Sequence, residues 1–377
     1  MPKAVVTGGA GFIGSHIAGA LVDKRWEVAV VDSMEPPAHQ SRTRPDYLPQ
    51  EVGFHRLDCG DEKLVSEGVL EGADVVFHEA AYGGFAPQQE KYFHKNSLAT
   101  LGLLEHCAKA GVKKIVVASS MAVYGEGAYE CAEHGGFFPQ ERAAEALQDG
   151  KWEVMCPECK NPARGIETAE SKPVNPALVY SITKYDQERL TFVLAKKHGL
   201  KVTALRYFLT YGPRQSLSNP YTGICSIFSS RILAGKQPVV FEDGLQTRDF
   251  VYVGDVAKAN LLVGQKSAAD GKVYNVGTGK ATAIKDFASL LCKVYASRME
   301  PLITGWYRPG DVRHIFADNA ELRKLGWNPE ISLEEGIGKY AEWIRTQNVA
   351  EYFSSVLGKM KADGTVRKSS SAVAGIE

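Results

Sequence analysis

The chain has 377 residues, 44% of them apolar and 23% charged, enough for one large domain or two ordinary ones and too apolar for intrinsic disorder. Lysine plus arginine and aspartate plus glutamate both number 44, a zero balance that excludes a protein whose main work is gripping nucleic acid or another polyphosphate. No apolar run approaches the roughly 20 residues that span a bilayer, and seven cysteines, an odd number in a long chain, point to reduced thiols or a metal site in a cytoplasmic protein.

The first residues run straight into a Val-rich strand at 4–7 with only Lys3 before it, so no signal peptide is expected. A helix follows over 12–24, where Ile13, Ile17, Ala20 and Leu21 have the spacing of a buried face. Further strands are expected at 27–31, 52–57, 75–77, 114–118 and 202–207. Helices are expected over 97–110 and 179–197, the second stopped by Gly199. Val/Ile runs bounded by helices indicate parallel strands covered on both faces. The segment 127–169 breaks this alternation: it is polar, carries three of the seven cysteines and has little periodicity. From 359 onward the chain is rich in Lys, Ser, Gly and Ala, and a flexible tail is expected over 359–377.

Gly8-Gly9-Ala10-Gly11-Phe12-Ile13-Gly14 lies between the first strand and the first helix, the context of a dinucleotide fingerprint. Gly8 and Gly11 allow a tight turn and close approach to a pyrophosphate, Gly14 allows close packing, and the helix N-terminus faces the phosphates. A glycine-rich turn alone is common. Here Asp32 follows at the end of the second strand, where a carboxylate binds the adenosine ribose and repels a ribose phosphate. NAD is therefore expected over NADP.

Ser120 follows the strand at 114–118, and Tyr180 and Lys184 stand four apart on a helix, hence on one face. A free tyrosine titrates near 10 and is a poor base at neutral pH. A neighbouring ammonium and a cationic nicotinamide favour the phenolate, making Tyr180 a usable general base that Ser120 assists. Taken alone, a Tyr and a Lys at this spacing are ordinary surface residues.

The fingerprint, Asp32, the Ser120 segment and the Tyr180–Lys184 pair together resemble the extended short-chain dehydrogenases/reductases, the nucleotide-sugar epimerases and dehydratases. Matches continue through Asp58, His78 with Ala80-Ala81, Asn96, Tyr211-Gly212-Pro213-Arg214-Gln215, Arg248-Asp249-Phe250, Asn275 to Gly279 and Arg308-Pro309-Gly310-Asp311. The resemblance implies a doubly wound parallel (Rossmann) α/β sheet with a smaller α/β substrate-binding domain. The NAD part would be 1–208, with the insertion 127–169 and a returning chain at about 250–264; the sugar-nucleotide part would be 209–249 and 265–348. It implies that Gly8, Gly11, Phe12, Ile13, Gly14, Asp32, Asp58, Ala80, Asn96 and Lys184 hold NAD. It also implies that Ser120, Tyr180 and Lys184 are catalytic, and that Ser120, Tyr180, Asn219, Arg248, Arg308 and Asp311 meet a dTDP- or UDP-linked sugar. Relatives dimerise through the helix bearing the Tyr–Lys pair, and Leu190, Val193 and Leu194 offer an apolar stripe for a homodimer.

Dehydratases of this class carry Asp and Glu just after the Ser/Thr position, and decarboxylating relatives keep a Glu at the second of those places. Here stand Met121 and Ala122, neither of which moves a proton. Epimerisation at C4 through a transient 4-keto sugar is thus expected, ahead of a dehydratase, a 4-ketoreductase or a non-catalytic NAD-binding protein. Two residues depart from the pattern: Leu209 replaces a common Asn, and Glu79 follows His78 where an apolar residue is usual.

Cys131 and His134, then Cys156 and Cys159, form two pairs of soft ligands with ribbon spacing, and a closed, structural zinc site is expected from them. Such a Cys-containing insertion between Ser120 and Tyr180 resembles the dTDP-L-rhamnose 4-epimerase subgroup, although most of those relatives have Cys at the position of His134. Cys59, Cys107, Cys225 and Cys292 stand alone and are read as packing residues.

Overall fold

Seven parallel strands make the central sheet of the protein, whose computed structural model describes residues 1–36, 38–83, 88–217 and 223–373. Along the chain they are β1 (Lys3–Thr7), β2 (Glu27–Val31), β3 (Gly53–His55), β4 (Val75–His78), β5 (Lys114–Ser120), β6 (Lys201–Tyr207) and β7 (Lys272–Val276). Their spatial order is 7-6-5-4-1-2-3, so the winding reverses between β1 and β4 and opens a crevice at their carboxyl ends.

Alternate side chains of each strand serve opposite faces. Val6, Val30, Phe77 and Val116 pack with Ile17 and Leu21 of α1 (Phe12–Asp23) and with Val256 and Leu261 of the helix Val253–Gln265. Val5, Val76 and Ile115 face the other way, onto Leu103, Leu104 and Cys107 of α2 (Ala99–Lys109) and onto Leu190 and Leu194 of α3 (Val179–His198). Gly199 ends α3 in the left-handed conformation, at φ 72°. A second core gathers Tyr211, Phe228, Phe250, Phe287, Leu291, Ile337 and Tyr340, with Phe250 and Phe287 stacked at 3.9 Å between ring centroids.

The structure departs from the sequence expectations in four places. The helix expected over 97–110 begins at Ala99, after a π-helical turn at Phe93–Leu98 that carries the buried Asn96. Residues 265–348 do not all join the second core: β7 covers the open edge of β6, and Leu322 and Trp327 pack with the central sheet. The stretch 127–169 is not irregular. It folds into a three-stranded antiparallel sheet, Ala128–Cys131, Gly135–Phe137 and Arg164–Ile166, with a short helix at Ala144–Gln148.

The described part of the expected tail is also ordered. A helix at Phe353–Ala362 buries Phe353, Val356, Leu357 and Met360, and Arg367–Lys368 pairs antiparallel with Trp306–Tyr307. Positions 353, 356, 357 and 360 have helical spacing, which the lysine-rich composition concealed.

One buried ion pair ties α3 to the sheet. Glu188 receives Arg206 of β6 through both carboxylate oxygens, at 3.0 and 2.7 Å, and accepts the Ser119 hydroxyl of β5 at 2.8 Å. The Arg206 guanidinium also lies 4.7 Å from the Tyr124 ring centroid. Glu188 is one turn beyond Lys184 and two beyond Tyr180, so this contact fixes where both face.

Candidate active site

The turn after β1 is built around its glycines. Gly8 has φ 66°, and a Cβ there would lie 2.7 Å from the Ala80 amide nitrogen; one on Gly14 would lie 2.3 Å from the Gly8 carbonyl oxygen. Gly14 therefore closes the loop on itself. Gly11, with φ −77°, precedes α1, leaving the helix amides facing outward. Asp32 accepts the amides of Ala10 at 3.1 Å and Met34 at 2.9 Å, so its carboxylate is fixed beside the turn with acceptor capacity left for a ribose diol. Arg44 is spent on the carbonyls of Val52 and Pro49. Asp58 accepts the Gly60 amide at 3.0 Å and pairs with Lys95 at 2.9 Å. These residues fit a dinucleotide with a free ribose.

Asn96 is a different case. Its side chain is wholly buried and fully engaged: Oδ1 accepts the Tyr82 amide, and Nδ2 donates to the Tyr82 carbonyl and to Thr183. These bonds hold the loop after β4 against the helix turn that bears Lys184.

A cleft of about 450 Å³ lies at the carboxyl ends of the strands and is lined by Phe12, Ile13, Ser120, Tyr180, Lys184, Arg248, Arg308 and Asp311. That volume lies within the range of about 300–1,000 Å³ typical of small-molecule sites. Met121 and Ala122 line it too. The structure thus brings the catalytic candidates together with the expected diphosphate-binding arginines. Asn219 lies outside the described residues.

Burial raises the Tyr180 phenol, and its hydrogen bond with Ser120 opposes that rise. Lys184 falls to about 8 because it is buried, with Glu79 and Glu188 pulling it back up. Its ammonium donates to Gln187 Oε1 at 2.7 Å. Gln187 in turn bonds Thr100 and the Ala80 carbonyl, and His78 bridges Thr100 at 2.8 Å and Thr7 at 2.7 Å. A continuous buried polar chain therefore runs from the strand before the glycine turn to Lys184.

Three contributors were given no role from the sequence. Glu79 lines the cleft, accepts the Tyr207 hydroxyl at 2.8 Å and is pushed by burial to about 7. Tyr47 donates to the Ala10 carbonyl at 2.5 Å, and Arg214 lies on the Tyr47 ring while bonding Ser15 of α1. Only the fold brings these distant residues to the turn. Arg248 and Arg308 share the cleft: burial chiefly, then the Arg248 charge, lowers Arg308, while Asp311 raises it. Two guanidiniums in one cleft suit an anionic ligand.

The donor atoms of Cys131, His134, Cys156 and Cys159 all lie within 4.8 Å of one another. Cys131 Sγ is 3.6 Å from both His134 Nδ1 and Cys159 Sγ, and Cys156 Sγ is 3.6 Å from His134 Nδ1. Bonds of about 2.3 Å in a tetrahedron give edges of about 3.7 Å, so the donor set fits zinc. The Glu133 amide first, then His134, lowers the Cys131 thiol to about 6. Glu158 lies 3.6 Å from His134 Nε2, where an outer carboxylate orients a ligating ring.

The residue profile of the NAD dependent epimerase/dehydratase family matches residues 4–146 and 153–277. The dTDP-L-rhamnose 4-epimerase of Burkholderia thailandensis is 34% identical over 358 residues, 91% of this chain and 94% of that protein. A putative UDP-glucose 4-epimerase of Methanocaldococcus jannaschii is 32% identical over 348 residues, 91% of this chain and 99% of that protein. Among solved structures, the Thermotoga maritima UDP-glucose 4-epimerase with UDP-glucose superposes with a TM-score of 0.74 at 32% identity, covering 91% of this chain and 98% of that one. The Thermus thermophilus UDP-glucose 4-epimerase complex with NAD gives 0.72 at 30% identity, covering 92% and 100%.

The polar chain carries a measurable pH dependence. Burial holds the His78 imidazole down at about 3, against about 6.5 in an unfolded chain. Between these values the unfolded state binds the extra proton, so stability is full above pH 6.5 and is lost as pH falls toward 3. His78→Gln should remove about 1.4 kcal/mol per pH unit from the slope of unfolding free energy between pH 4.5 and 6, read by urea titration. An unchanged slope would place the protonation elsewhere.

Proposed function

The chain belongs to the NAD dependent epimerase/dehydratase family, and on that premise we propose that it interconverts the C4 epimers of a nucleoside-diphosphate sugar. The observation that carries this reading is one cleft holding Ser120, Tyr180 and Lys184 together with Arg248 and Arg308, with no carboxylate at positions 121 and 122. NAD, when bound, supplies a hydride acceptor that is regenerated in each cycle. Tyr180 takes the C4 hydroxyl proton and returns it to either epimer, Ser120 holds the same oxygen, and Lys184, in the same cleft, has its ammonium fixed by Gln187. The protein's own groups leave the phenol raised, so the positive nicotinamide is the charge that favours phenolate.

In this reading NAD binds the part formed by 1–208 and 250–264, and the nucleotide sugar binds between that part and the second core. Asp32 favours NAD, which supports an epimerase over a ketoreductase. We assign the enzyme to the cytoplasm, supported by seven thiols without a disulfide. Incubation with a panel of UDP- and dTDP-sugars should give a C4 epimer resolved by NMR. Tyr180→Phe should lower kcat by at least about a hundredfold while NAD stays bound. Turnover that survives in this variant would remove Tyr180 from its role.

We also propose that Cys131, His134, Cys156 and Cys159 hold one structural zinc. Metal analysis should find about one zinc per chain, lost in Cys156→Ser while NAD is retained. Full metal content in that variant would reject the ligand set.

A homodimer is proposed through α3 and the adjoining π-helical turn, with one revision to the expected stripe. Leu190 and Leu194 pack inward, whereas Ile182, Val193, Phe93 and Leu98 are exposed. Light scattering should give twice the chain mass, and Val193→Asp should shift it toward the monomer.

A further inference from the structure

Outside the NAD cleft, the densest group of buried charges lies where the Cys/His insertion meets the second core. Arg313 is fully buried, and its guanidinium reaches Asp243 at 2.7 and 2.9 Å, Glu242 at 3.1 Å and Glu153. Arg142, also buried, grips Glu242 with two nitrogens at 3.0 and 2.7 Å and donates to the Asp311 carbonyl at 2.8 Å. The two brackets are crossed. The insertion gives Arg142 to a carboxylate of the second core and takes Arg313 from it onto its own Glu153.

Glu242 is the hub, and its backbone bears the mark of that duty. It has φ 52°, a left-handed conformation costing a non-glycine residue about 1 kcal/mol or more. Its amide bonds the Trp306 carbonyl at 2.7 Å, and its carbonyl accepts the Gly305 amide at 3.0 Å. The strand leading to Arg308 therefore hangs on the residue that both guanidiniums hold. Beyond that turn, Asp311 and the Val312 carbonyl each accept Arg248 at 2.7 Å. Arg248 and Arg308 thus owe their placement to a loop clamped on both sides by the crossed brackets.

We propose that the insertion sets the affinity of the cleft for a nucleoside diphosphate, with Arg142, Glu153 and Arg313 as positioning residues for the loop that brings Arg308 and Asp311 to Arg248. This rests on the nucleotide-sugar reading above. Buried bidentate pairs give geometry more than stability, and a displacement of about 1 Å in a binding group is enough to cost a large factor in affinity. None of Arg142, Glu153 and Arg313 lines the cleft that holds Tyr180. Their loss should therefore appear in nucleotide binding and leave the chemical step and NAD alone.

The test is calorimetric titration of UDP and of dTDP into the NAD-loaded protein and its variants. Glu153 is 39% exposed at its side chain, so Glu153→Gln removes a charge with little risk to folding; Arg142→Lys keeps the charge and removes the fork. Each should weaken diphosphate binding by about tenfold and raise KM by a similar factor, with kcat within about twofold and NAD content unchanged. In an Arg248→Met background, Glu153→Gln should add less than about twofold, because the residue it positions is gone. Unaltered affinity in both single variants, or full additivity with Arg248→Met, would overturn the proposal. A loss of NAD parallel to the loss of UDP would also overturn it, by making the brackets general supports of the fold. If the wild-type protein binds neither diphosphate, the functional reading itself fails, an outcome distinct from the other three.

Discussion

The pairing of Glu188 with Arg206 and Ser119 is the constraint on which the catalytic geometry depends. A helix lying on a sheet can slide or rotate with little change in buried apolar area, since dispersion and the hydrophobic effect are non-directional. A buried bidentate ion pair cannot. Removing either partner leaves an uncompensated charge, at roughly 3–5 kcal/mol, so the pair selects one register of α3 against β5 and β6. In that register Lys184 and Tyr180, one and two turns before Glu188, enter the cleft beside Ser120, which follows Ser119 in β5. The net stabilisation from such a pair is small. Its contribution is specificity of placement.

The same logic explains why the cleft is backed by polar contacts rather than by more leucine. Thr7, His78, Thr100 and Gln187 form a hydrogen-bonded chain from β1 and β4 to Lys184. Each of these groups is buried, and each is satisfied by the next. A buried network of this kind is costly if one member is lost, and rigid when it is complete. Lys184 therefore has a fixed partner on its own helix, although burial alone would pull its ammonium toward neutrality. The parallel sheet supplies the location and the polar chain the precision.

Much of this was legible in the sequence, for local reasons. The glycine turn, Asp32 and the Tyr180–Lys184 pair depend on short-range geometry: a φ above zero at Gly8, a strand end and a helical turn. Strands β1, β2, β4, β5 and β6 likewise announce themselves as Val/Ile runs. What stayed hidden depends on contacts distant in sequence. Asn96 belongs to a motif, yet only the fold reveals that its amide is spent on Tyr82 and Thr183. Glu79 makes sense once Tyr207 is beside it. Leu190 and Leu194 have the same spacing whether they face a core or a partner. The three strands of the insertion are three or four residues long, too short for a period to emerge.

The insertion shows how a fold can separate affinity from chemistry. The strand Ala128–Cys131 ends in a member of the Cys/His cluster and carries Tyr129, whose hydroxyl meets Glu126 at 3.0 Å and the His314 amide at 3.0 Å. One short strand thus reaches from the cluster to the segment after Asp311. Gly127 and Gly165 lie so close to His314 that a Cβ would approach its carbonyl oxygen to 2.3 Å or its own Cβ to 2.7 Å. A three-stranded sheet has too little apolar core to hold such a contact firmly; its buried cluster is Tyr129, Val154 and Ala163. The Cys/His cluster at one end and the guanidinium brackets at the other stand where that core is missing. The central sheet takes its cohesion from large apolar faces, and there the Glu188–Arg206 pair fixes the register that places Tyr180. The two halves of the site are therefore held by separate sets of contacts, and substitutions in one should leave the other largely intact.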